Sequence, residues 1–181
     1  MDKKSITTKQ GDKGQTRIFS GEWVSKNSPR PKICGQIDEL TCILGIARFH
    51  VRKNGIRKEI IFIQHALVTA AAELATSQKS LGKLSKRIDA ATLKIIDDKC
   101  RELECKVKTP AGMIIPAGSL AASYIDYARA VTRRCEIKIV KLFENKIMDN
   151  KILIAWFNRL SDYLYLLARH EEGKPILAKK S

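Results

Sequence analysis

The stretch TTKQGDKGQTRIFSGEWVSK, residues 7–26, crowds glycine, threonine and lysine into a segment too polar to bury and too rich in glycine for a good helix. Backbone amides near Gly11 and Gly14 can approach phosphate oxygens without side-chain obstruction. Thr16 adds a hydroxyl, while Lys9, Lys13, Arg17 and Lys26 add positive charge. Such a set suits a polyphosphate, but it also suits a solvated loop or a β-hairpin. It is not a Walker A loop, which needs G-x-x-x-x-G-K-[ST] between a strand and a helix.

Three further clusters carry chemistry. In DYARAVTRRCEIK, residues 126–138, Arg129, Arg133 and Glu136 share one helix face at i, i+4 and i+7. Guanidinium forks there can bind carboxylate and phosphate, or can simply lace a surface with ion pairs. In WFNRLSDYLYLLAR, residues 156–169, Asn158 and Asp162 lie one turn apart beside apolar leucines. An asparagine there either satisfies a neighbouring loop or hydrogen-bonds a ligand. In GQIDELTCILG, residues 35–45, Asp38 and Glu39 stand near a helix start, where the dipole also favours them.

The elements that must position these residues read as helices. Ile33, Ile37, Leu40, Leu44, Ala47 and Val51 recur at helical spacing, and RKNG at 52–55 ends that run. A second pattern passes through Ile60, Ile61, Leu67, Ala71 and Leu74, and a third, weaker one through Ile88, Ala91, Ile95, Cys100 and Leu103. Residues 77–87 form a polar connection. The segment KTPAGMIIPAGS, 108–119, breaks the pattern before a helix over about 119–145 capped by Ser119, and a last helix covers about 149–170. The prolines of KNSPRP, residues 26–31, discourage helix at that point. The expectation is one all-α domain over 1–181: an irregular amino-terminal loop over 1–30, an antiparallel five-helix bundle over 31–170, and a loosely held tail over 171–181.

Composition bounds the function. Lys+Arg 34 against Asp+Glu 19 gives +15, a surface that attracts anions, whether nucleotides, nucleic acid or anionic lipid. Aromatics are few, at 6%, and the lysines are scattered rather than gathered into an arm, which argues against nucleic acid. Five cysteines without a C-x-x-C pair read as reduced thiols of a cytoplasmic protein. Three histidines without H-x-x-x-H spacing argue against zinc, and no apolar run reaches membrane length.

Taken in order, TKQGDKGQTRIFSG…VSK, GQIDEL, MIIPAGS, ARAVTRRCE and NRLSDYLYLLAR resemble the PduO-type ATP:cob(I)alamin adenosyltransferases over about residues 6–170. The resemblance implies a homotrimer with active sites between subunits. Thr8, Lys9, Gln10, Gly11, Thr16, Arg17 and Lys26 would line the ATP site from one subunit, with Arg133, Glu136 and Asn158 completing it from the neighbour. Asp38 would pair with Arg129 across the interface. The implied reaction moves the 5′-deoxyadenosyl group of ATP, with Mg²⁺ on the nucleotide and no dedicated protein metal site, to the cobalt of cob(I)alamin. A reductase and an adenosylcobalamin-dependent acceptor enzyme are the implied transient partners.

Four positions depart from the family pattern. Met113 stands where the family has a phenylalanine that shields the lower face of the corrin and displaces its axial ligand, so a slower or less selective corrinoid site is expected. Asp126 replaces a histidine, Thr41 an asparagine, and Ala117 the first glycine of P-G-G, while Gly118 keeps the second. Met113 and Asp126 favour the rival reading of a non-catalytic ATP or corrinoid carrier or regulator. A nucleic-acid-binding helical protein is the other rival, supported by charge alone.

Overall fold

The computed structural model describes residues 7–108, 112–116, 118–172 and 176–178. Two short strands, β1 (Gln15–Arg17) and β2 (Trp23–Ser25), form an antiparallel hairpin with Thr16 opposite Val24. Helices α1 (Pro29–His50) and α2 (Asn54–Leu74) follow, joined by three residues. A 3-10 turn over Gln78–Lys83 leads to α3 (Ala90–Glu104). Strand β3 (Ile114–Ile115), α4 (Leu120–Glu144), α5 (Lys151–Glu172) and β4 (Ile176–Leu177) complete the order.

Helix pairing runs α2–α1–α4–α5–α3, with α2 also touching α5. The apolar stripes meet inside: Leu40 and Leu44 of α1, Leu67 of α2, Ile96 of α3, Val131 and Ile139 of α4, and Trp156 and Leu160 of α5 are all fully buried. Burial of one such side chain contributes about 1.5–3 kcal/mol, so helix association, not intrinsic propensity, holds these elements.

Helix starts are chemically marked. Asp89 and Ser119 accept hydrogen bonds from the amides of Thr92 (2.8 Å) and Ala122 (3.1 Å), capping α3 and α4. Asn150 accepts from Ile152 N at 3.0 Å at the start of α5. Its amide also donates to Glu73 at 2.8 Å, and Glu73 further accepts from Arg87 and from Ile88 N. This buried carboxylate thereby ties the end of α2 to the approach of α3 and the start of α5.

Four expectations change in detail. The prolines of KNSPRP do not exclude helix; α1 begins on Pro29, because first-turn amides lack helical acceptors and proline presets φ. The irregular amino-terminal segment contains the β1–β2 hairpin, so the chain is mostly rather than purely helical. The polar connection holds a 3-10 turn. In the segment read as a loose tail, α5 continues to Glu172 and β4 pairs with β3, Ile114 opposite Leu177. Ala117 lies outside the described residues. Among the described residues no helix is long and apolar enough to cross a membrane.

Candidate functional site

The amino-terminal loop is held by its own backbone. Asp12 N donates to Lys9 O (3.3 Å), Gly14 N to Gly11 O (3.2 Å) and Lys26 N to Gly14 O (2.9 Å). Lys9 and Gly14 take positive φ, 56° and 76°. Gly14 does so freely, whereas Lys9 departs from the usual preference of a side chain. Gly11 answers a different need: a Cβ there would lie 2.9 Å from Lys26 Nζ, so the ammonium rests directly over the glycine backbone.

Thr8, Lys9, Gln10, Arg17 and Lys26 are exposed, and Gly11 and Thr16 half-buried. Arg17 Nε donates to Gly21 O at 2.7 Å, laying the guanidinium along the hairpin turn. Packing fixes the hairpin to the bundle. Phe19 N donates to Ala75 O (3.0 Å), and Glu22 accepts from the hydroxyls of Ser20 and Ser77, both at 2.7 Å. Those two hydroxyls hold the Glu22 carboxyl below its ordinary value. Arg30 then bridges Leu74 O (2.6 Å) and Ile147 O (2.5 Å), joining the start of α1 to the end of α2 and to the connection between α4 and α5.

A second group assembles on α4 and α5. Asn158 Nδ2 donates to Glu136 Oε1 at 3.1 Å, and both residues, with Arg133, line an open cavity of about 610 Å³. Ile137 and Val140 form its apolar wall and Lys141 adds a second cation. A concavity of this size, apolar with a few convergent polar groups, suits a nucleotide-sized ligand. The sequence reading missed Lys141, Glu144 and Asn145 on this lining. Their signal was available, since 133, 137, 140–141 and 144 continue one face of α4 at helical spacing.

The structure brings Arg133, Glu136 and Asn158 together, and it brings Gly11 and Lys26 together. Among the described residues no hydrogen bond or ion pair of the chain joins residues 8–26 to the cavity on α4 and α5. Asp38 is exposed on α1 with no ion-pair partner among the described residues. Arg129 Nε instead faces Asp126 Oδ1 of its own helix at 3.4 Å.

Asp126, the departure from the family's histidine, is buried against Arg169, with Arg169 Nη2 donating to Asp126 Oδ2 at 2.6 Å. Burial alone would lower the Arg169 pKa, but the carboxylates of Asp126 and Glu172 raise it on balance. Met113, 81% exposed, projects from the loop before β3 and belongs to no core. No group of three or more His, Cys, Asp or Glu side chains converges among the described residues.

A family model described as cobalamin adenosyltransferase matches residues 6–171. The chain belongs to the cobalamin adenosyltransferase family. It is 31% identical over 170 residues to a corrinoid adenosyltransferase of Citrobacter freundii, covering 94% of this chain and 96% of the relative. Similarity to the corrinoid adenosyltransferase PduO of Salmonella typhimurium is also 31%, over 93% of this chain but 50% of that longer relative. Among solved structures, a phenylalanine-to-alanine variant of a PduO-type ATP:corrinoid adenosyltransferase from Lactobacillus reuteri, complexed with cobalamin and ATP, superposes with a TM-score of 0.87 at 29% identity, covering 97% of this chain and 100% of that one. An arginine-to-lysine variant of the same enzyme, complexed with ATP, gives 0.87 at 31% identity, covering 97% and 100%.

Proposed function

We propose that this chain is an ATP:corrinoid adenosyltransferase, which transfers the 5′-deoxyadenosyl group of ATP to cob(I)alamin. The observation that carries the reading is the convergence of Arg133, Glu136 and Asn158 on one cavity in a chain of this family. The cobalt electron pair forms the new bond to C5′ while the C5′–O bond breaks and triphosphate leaves. Cobalt is the nucleophile, so the protein has no need of a general base. Its tasks are to orient C5′ and to neutralise the leaving triphosphate. Lys9, Lys26 and Arg17 on the loop, with Arg133 on α4, are the charges for the second task. Mg²⁺ would travel on the triphosphate and share that work, with phosphate and water oxygens as its ligands.

The complete site, in this reading, forms between copies of the chain in a homotrimer, with Thr8, Lys9, Gln10, Gly11, Thr16, Arg17 and Lys26 of one copy facing the cavity of the next. Support comes from the loop and the cavity having no hydrogen bond or ion pair between them within one chain among the described residues. Asp38, exposed on α1 and without an ion-pair partner among the described residues, is the partner proposed for Arg129 of the neighbour. Met113 would face the lower side of the corrinoid. The setting is cytoplasmic, with a reductase supplying cob(I)alamin and an adenosylcobalamin-dependent enzyme accepting the product. Arg133→Ala tests the nucleotide assignment: kcat/KM for ATP is expected to fall about tenfold or more with the helical content unchanged. Unaltered kinetics would remove the cavity from the site.

A further inference from the structure

Arg169 is a guanidinium in the interior, 2% exposed at its side chain, near the end of α5. A buried cation persists only where carboxylates surround it. Asp126, 3% exposed, accepts from Nη2 at 2.6 Å, and the Glu172 carboxylate, 0% exposed, faces Nε. The Tyr165 ring lies 5.2 Å from the guanidinium. Arg129 approaches the other oxygen of Asp126 at 3.4 Å, so two cations balance two anions and the group is neutral as a whole.

Among the described residues, Glu172 Oε2 is buried with neither a hydrogen-bond nor an ion-pair partner, and it occupies the place a Cβ on Gly118 would need. That Cβ would also stand 3.0 Å from both Cβ and Cδ of Glu172. Gly118 is not in the left-handed region, so its backbone would admit alanine; the close approach of Glu172 is what excludes a side chain. Gly118 immediately precedes Ser119, the cap of α4. At the other end of the same loop, Met113 O accepts from Ala178 N at 2.9 Å and β3 pairs with β4. The carboxyl-terminal part of the chain therefore grips the loop at both ends, by Glu172 at Gly118 and by 176–178 at 113–115.

We propose that the buried Asp126–Arg169–Glu172 chain is a positioning device that seats the Gly118 turn and thereby sets where Met113 stands against the corrinoid. Asp126 is what locks Arg169 in place, so the departure from the family's histidine has a structural use. The inference rests on the reading that the Met113 loop faces the corrinoid.

Gly118→Ala adds a single carbon at the contact. Steady-state kinetics of the purified full-length protein should show KM for cob(I)alamin raised about fivefold or more, with KM for ATP within about twofold of the wild type. Hydrogen exchange should quicken over 112–116 and stay unchanged over 133–158. Glu172→Ala, which removes the seat itself, should raise the corrinoid KM in the same way and leave KM for ATP within about twofold of the wild type. Unchanged corrinoid KM, or a parallel rise in both KM values, would overturn the proposal. Should the wild type turn over neither substrate, the proposed transfer activity falls, and hydrogen exchange alone decides the seating: unchanged exchange over 112–116 in Gly118→Ala overturns it.

Discussion

Arg133 and Asp126 sit two turns apart on α4 and do opposite work. Arg133 is exposed on the cavity, so its charge is available to a ligand and contributes little to folding. Asp126 is spent on Arg169 inside the bundle. Asp126→Asn leaves a buried guanidinium short of one anion and is expected to cost about 3 kcal/mol in a denaturant titration, whereas Arg133→Ala should leave the midpoint within experimental scatter. Equal stability losses would contradict this division. The two residues were not equally legible. Arg133, Glu136 and Asn158 were readable because spacing and motif agreed. Asp126 read only as a departure from the family's histidine that favoured a non-catalytic carrier, since its partner lies 43 positions away and nothing local announces the pair. Thiols divide in the same way. Burial pushes Cys100 and Cys135 up to about 12, while Cys105 is exposed. Alkylation of the native protein at pH 8 should therefore modify Cys105 and spare the other two, as peptide mass analysis would show; early loss of Cys135 would contradict its burial.

The helices were legible from their period, because each presents one apolar stripe to the same interior. Their ends were less so. Pro29 and Pro31 read as breakers, although at a helix start proline removes only donors that have no helical acceptor. The β1–β2 hairpin has three-residue strands and only Thr16 and Val24 partly covered, too short for alternation to declare itself. Pairing of β4 with β3 is a long-range event that no local pattern encodes. The docking of the hairpin has an expected pH dependence. The hydroxyls of Ser20 and Ser77 lower the Glu22 carboxyl from 4.5, so its contribution is present above that unfolded value and is lost as pH falls through the lower folded one. The Trp23 indole NMR signal should shift on acidification in the wild type and not in Glu22→Gln. An identical titration in both would assign the docking to other contacts. Ser119→Ala, which removes the cap of α4, should cost about 1 kcal/mol.

At the scale of the whole molecule, the basic excess and the divided site have one explanation. In the proposed trimeric reading, a chain of +15 would carry its phosphate-binding charges on two surfaces brought together when copies associate. Asp38→Asn should then weaken assembly or turnover, read by light scattering together with rate; a normal assembly with normal rates would remove the Asp38–Arg129 pair from the account. Met113→Phe should raise activity in the presence of cob(II)alamin and a reductant, because an aromatic covers the corrin face better than a flexible thioether side chain. The central claim, adenosyl transfer, is tested most directly by anaerobic incubation of the purified protein with ATP, Mg²⁺ and chemically reduced cob(I)alamin. The cobalamin spectrum and released triphosphate are followed together. Conversion to adenosylcobalamin is expected, with one triphosphate released for each cobalt–carbon bond formed. ATP binding without conversion would contradict it and make the chain a carrier or regulator built on the same fold.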